Sequence, residues 1–146
     1  MVPVFEQVLE KYPQDVKVVF KNFPLRSHIF AEKAAVAALA AGDQGKFWEF
    51  HDLLFKNYNK LDDQKIQEIA QTVGLNMEEY EKKKKDPATE RKVRQDFSDG
   101  RQAGVRGTPA IFVNGIRLRD RSLKGFQTAI DKQLQKLGKT ATKPAS

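Results

Sequence analysis

The sequence predicts an α/β fold in which a large helical insertion separates two short interior strands, and three observations carry that prediction. Short apolar runs stand at Val16–Phe20 and Ala110–Val113, each apolar on two faces, as strands inside a parallel sheet are. Almost everything from about residue 28 to residue 104 repeats its apolar positions at helical spacing. Asn114-Gly115, directly after the second run, is a favoured two-residue hairpin turn.

The elements follow in order. Pro3 suits a first helical turn, and Phe5, Val8, Leu9 and Tyr12 share one face, so residues 3–12 read as a helix. Tyr12-Pro13-Gln14-Asp15 ends it, and Val16–Phe20 is the first strand. An Ala-rich helix spans about 28–41, with small side chains that permit close packing, and stops at Gly42. Lys46–Phe55 carries aromatics on several sides, which predicts a deeply buried helix with Trp48 in the core. Ile66, Ile69, Ala70 and Val73 make a further helix closed by Gly74. Asn76 with Glu79 has the spacing of a capping box, and Asp86-Pro87 is an N-cap and N1 pair for a helix reaching about Asp99. After the hairpin strand Ile116–Arg119, Ser122 caps a last helix striped by Phe126, Ala129, Ile130, Leu134 and Leu137. The expected organisation is one domain over 1–138, with a helical insertion at about 28–104 and a flexible basic tail at 139–146.

Composition excludes several chemistries. The 146 residues contain no cysteine, which removes a disulfide, a thiolate nucleophile and any Cys-bound metal. His28 and His51 lack a ligand-spaced partner, so no metal and no cofactor is expected. Gly100, Gly104 and Gly107 are spaced too loosely for a phosphate loop, and Ser27, Ser98 and Ser122 have no nearby His and Asp, so no catalytic residue is assigned. No apolar run is long enough to span a membrane, and Met1–Glu6 shows no basic leader before an apolar stretch. Charge is uneven: residues 1–81 carry 9 basic and 13 acidic side chains, residues 82–146 carry 17 and 6. Lys82–Lys85, Arg91, Lys92 and Arg94 could meet nucleic acid, but no aromatic side chains interleave that run as a stacking platform, so a solvated helical face is preferred.

Phe20-Lys21-Asn22-Phe23-Pro24-Leu25, His28, the Ala-rich helix, Gly45–Asp52 and Gly104–Gly115 together resemble the DsbA-like thiol–disulfide oxidoreductases, a thioredoxin-fold family. The likeness extends over about residues 2–137, and Thr108-Pro109 before an apolar strand is its most specific part. The resemblance implies a cis Thr108–Pro109 bond in a loop, flanked by Arg106 and Gly107, that holds the backbone of an extended peptide or unfolded protein. It also implies a periplasmic or otherwise exported setting. In the family a strand and a Cys-x-x-Cys segment precede the stretch with which this sequence begins. The fold expected here is therefore a DsbA-type domain truncated at its N-terminus, without the central strand and redox-inactive by itself.

That expectation has an energetic consequence. The family's central strand lies between the two strands placed at 16–20 and 110–113. Leaving about five apolar side chains unburied forfeits on the order of 8–15 kcal/mol, as much as a whole domain's stability. A homodimer or higher oligomer joined through exposed strand edges is the expected remedy. A peptide-binding module without chemistry is the alternative function.

Overall fold

Short polar signals fix where the helices begin. The side chains of Asp62, Asn76, Asp86 and Ser122 accept backbone hydrogen bonds from Lys65, Glu79, Ala88 and Gly125, each satisfying an amide that a helix start leaves unpaired. In the computed structural model, which describes residues 2–139, the helices are α1 (Val2–Lys11), α2 (Ala31–Gly42), α3 (Phe47–Lys56), α4 (Asp63–Thr72), α5 (Met77–Lys84), α6 (Pro87–Gln102) and α7 (Leu123–Lys136). A single 3-10 turn lies at Tyr58–Lys60. The flexible tail expected at 139–146 falls, beyond Lys139, outside the described residues.

The chain forms two compact units. The helical unit runs from Lys21 to Gly107 and is built around α2. Ala34, Ala37, Ala38, Ala40 and Ala41 are buried, and these small side chains let α3, α4, α5 and α6 all pack against one helix. Phe50, Leu54, Ile66, Ile69, Ala70, Leu75 and Tyr80 complete its core. The segment after Lys21 is tied to α6: the backbone N–H and side-chain amide of buried Asn22 both donate to Asp96 at 3.1 Å. Beside it the Phe23 ring stacks on Phe97 at 4.6 Å and lies across Gly100, where a Cβ would come within 2.8 Å of the ring.

The second unit joins residues up to Phe20 with those from Thr108 on. Val8 and Tyr12 of α1 pack with Phe126, Ile130 and Leu134 of α7, and Phe5 meets Phe126 edge-on at 5.5 Å. Val16, Ile111, Val113 and Leu118 lie over this cluster. The sheet is the two-stranded antiparallel hairpin β1 (Phe112–Val113) and β2 (Ile116–Arg117), with Phe112 opposite Arg117. Its turn needs positive φ at both central residues, and Asn114 (47°) and Gly115 (80°) supply it.

Two expectations need correction. Val16–Phe20 is not a strand, and the apolar run at 110–113 contributes only Phe112–Val113 to the sheet. Strand geometry is held by neighbours, and among the described residues Val16–Phe20 has no strand beside it while β1 has only β2. Their outer faces are accordingly open, with Val19 66% and Ile116 53% exposed. Nor is α3 deeply buried: Phe50 and Leu54 face the core, whereas Trp48 is 49% and Phe55 62% exposed. Aromatic content alone does not place a helix inside when one face suffices for packing.

Two buried tyrosines provide a test of the packing. The Tyr12 hydroxyl donates to Asp131 at 2.7 Å, whereas the Tyr80 hydroxyl has no hydrogen-bond partner among the described residues. Burial raises both phenol pKa values, helped by the charge of Asp131 and of Glu81 respectively. Tyr12→Phe should cost about 1–2 kcal/mol in urea denaturation, while Tyr80→Phe should stabilise by about 1 kcal/mol because it removes an unpaired buried group. Equal losses from the two substitutions would contradict this assignment of partners.

Candidate functional site

The stretch singled out in the sequence leaves α6 through a turn at Ala103–Gly104. Val105 anchors it, buried, with its N–H donating to the Gly100 carbonyl at 2.9 Å. Arg106 is then exposed and Gly107 half-buried at the end of the helical unit. Thr108 and Pro109 open the second unit; both are exposed, and the peptide bond between them is cis. Beyond them Ile111 turns its side chain into the core while its carbonyl accepts from Leu118 N–H at 2.8 Å, extending the hairpin ladder by one rung.

The backbone around Thr108–Pro109 is only partly used. The Pro109 carbonyl accepts from Arg121 Nη1 at 3.3 Å. Thr108 and Ala110 donate no backbone hydrogen bond to a described residue. Unspent N–H groups beside a strand can add a peptide by main-chain pairing. No local signal marks Arg121, which reaches Pro109 across the hairpin from twelve residues away. Its position follows from the following helix start: Asp120 accepts from Ser122 N–H at 2.9 Å, a bond that holds its carboxyl below the ordinary range. Gly125 permits this close approach, since a Cβ there would lie 2.2 Å from the Asp120 carbonyl oxygen.

Other candidates bring less together. His51 lies 3.0 Å from the Asp52 carboxylate and contacts the Phe47, Trp48 and Phe55 rings, and no group of three or more potential metal ligands converges among the described residues. In the basic stretch Lys83 faces Asp43 at 3.3 Å and Lys84 faces Glu81 at 2.8 Å, while Lys92 pairs with Asp96 and Arg94 with Glu90 and Glu32. Such pairing draws positive charge away from any phosphate contact. Two surface depressions among the described residues hold about 210 Å³ beside Lys83, Thr89 and Lys92, and about 90 Å³ beside the hairpin and α7.

A helical unit interrupting a hairpin-and-helix unit, with a cis-proline at the entrance to β1, defines a thioredoxin-like fold of the DsbA type. The chain belongs to the DSBA-like thioredoxin domain family, whose model matches residues 1–131. Among solved structures it is similar to a thioredoxin-like oxidoreductase from Silicibacter pomeroyi DSS-3, with a TM-score of 0.67, 25% identity, and coverage of 80% of this chain and 68% of that one. The fold is shared as well with the thiol-disulfide exchange protein alpha-DsbA2 from Wolbachia pipientis, with a TM-score of 0.74 and 22% identity over 90% of this chain and 72% of that one. Among curated proteins it is 34% identical over 116 residues to Na(+)/H(+) antiporter NhaA 3 of Salinispora tropica and 33% identical over 116 residues to NhaA 1 of Salinispora arenicola. Each match takes in 79% of this chain but 18% of the antiporter, so the chain spans under a fifth of these relatives. No helix among the described residues is long and apolar enough to cross a membrane.

Proposed function

We propose that this chain is a DsbA-like domain that holds extended polypeptide at its Thr108–Pro109 loop in a periplasmic or exported setting, and that it performs no thiol–disulfide exchange by itself. The observation that carries the reading is a family match over residues 1–131 in a sequence with no cysteine. Exchange requires a thiolate that attacks a disulfide sulfur, and no side chain here can supply one. Peptide holding requires unspent main-chain donors beside a strand, and exposed Thr108 and half-buried Ala110 each have an N–H that no described carbonyl accepts. Arg106 and Gly107 precede them in the same loop: the arginine adds an exposed cation, and the glycine leaves the backbone approachable.

The test uses insulin. The purified chain should give no turnover in a dithiothreitol-driven insulin-reduction assay. It should nevertheless bind a fluorescently labelled, cysteine-alkylated insulin B chain, measured by anisotropy. Ala110→Pro removes one main-chain donor and should weaken that binding about fivefold, the worth of one net hydrogen bond. Its urea midpoint serves as the check on folding. Reproducible insulin turnover, or no binding of the alkylated chain, would overturn the reading.

A further inference from the structure

We propose that the face of α7 carrying Lys132 and Lys136 binds an acidic, extended polypeptide segment, one carboxylate of which enters the depression between α7 and β2. This does not rest on the reading of the Thr108–Pro109 loop, none of whose residues takes part. Residues 108–139 hold seven cations, from Arg117 to Lys139, against two carboxylates. Both carboxylates are already engaged: Asp120 accepts from Ser122 N–H, and Asp131 accepts from the Tyr12 hydroxyl. Lys132 and Lys136 are exposed, and neither makes an ion pair with a described residue. In the helical unit, by contrast, Lys33, Lys46, Lys65, Lys84 and Lys92 each lie against a carboxylate. Like charges four residues apart on a helix repel, so Lys132 and Lys136 carry a cost that an anionic partner relieves.

The depression beside these lysines supplies the second observation. Val113, Ile116, Leu118 and Ala129 give it an apolar floor, and Lys132 and Gln133 add the polar side chains. The Gln133 side-chain amide donates to no described residue, so an ammonium and an amide N–H₂ stand together without acceptors. A volume of about 90 Å³ takes a group of three water-sized atoms, such as a carboxylate, since a water's share of the liquid is about 30 Å³. Lys136 stands one turn further along, its Cβ about 5–6 Å from that of Lys132. Alternate residues of an extended chain project to the same side about 6.6 Å apart, so acidic residues at every second position match the two lysines. No aromatic ring among the described residues lines the depression, as stacked nucleobases would require. A bilayer is matched no better, because the apolar face of α7 is spent on the core through Phe126, Ile130 and Leu134.

Two fluorescein-labelled octapeptides of one composition test this by anisotropy with the 146-residue chain at low salt. One alternates Glu and Ser; the other has Glu-Glu-Ser-Ser twice, which places no two glutamates two residues apart. The alternating peptide should bind about fivefold more tightly, the worth of one charge-assisted contact. Lys132→Ala combined with Lys136→Ala should weaken its binding about fivefold. Lys82→Ala combined with Arg91→Ala removes the same charge from exposed positions of the helical unit and should leave binding unchanged. Ala129→Leu fills the depression without altering charge and should weaken binding about fivefold as well. Urea midpoints check folding, and the exposed lysine pair keeps the test decisive if the leucine is not accommodated. Equal binding of the two peptides overturns the proposal, as does equal loss in the two double variants. Tighter binding of single-stranded oligo-dT or of phosphatidylglycerol vesicles than of the alternating peptide overturns it too.

Discussion

Phe50→Ala is expected to lower stability by about 3–5 kcal/mol. Phe50 is fully buried, in a core whose other wall is the alanine face of α2. Alanine side chains are short and fixed at Cβ, so they cannot swing into the space a lost ring would leave. Incomplete collapse is what makes such a truncation costly. The comparison is internal to the same helix: Phe55 is 62% exposed, and Phe55→Ala should shift the urea midpoint within about 0.5 kcal/mol. Similar effects of the two substitutions would mean that α3 presents a different face to its core.

Asp96→Ala should cost about 2–4 kcal/mol, because two donors of buried Asn22 lose the carboxylate oxygen that accepts from both. Burial pushes the Asp96 carboxyl up, but hydrogen bonds from Lys92, from the backbone and side chain of Asn22, and from Lys21 outweigh it, and the pKa lies below the ordinary range. A carboxyl depressed in the folded state stabilises the fold above its unfolded pKa, about 3.9, and that contribution fades as pH falls through the folded value. The stability gap between the unaltered protein and Asp96→Asn should thus be widest near neutrality and close progressively below about pH 4. Urea titrations at a series of pH values measure it, and a gap that grows on acidification would contradict the arrangement.

Much of the fold was legible because its signals are local. Asn76, Asp86 and Ser122 cap the helices they were expected to cap, and Asn114-Gly115 makes the expected hairpin turn. Each depends on residues within four positions of one another. What escaped is non-local. Nothing in the sequence near Asn22 announces Asp96, 74 residues on, and nothing near Pro109 announces Arg121. The strands failed for the same reason: apolar residues at Val16–Phe20 reveal a capacity to pair, while pairing itself depends on a neighbour. Trp48 and Phe55 show the converse, aromatic side chains whose number suggested burial but whose helix needs only Phe50 and Leu54 to pack. The Thr108–Pro109 loop was readable only because a family likeness marked it, since periodicity has nothing to say about a proline before a strand.

Amide chemical-shift mapping can locate polypeptide bound by this cysteine-free chain. The ¹⁵N-labelled 146-residue chain would be titrated with cysteine-alkylated insulin B chain. The largest shifts are expected at Thr108, Ala110 and Ile111, which flank a proline that has no amide of its own. Saturable binding that leaves these three resonances in place would contradict it.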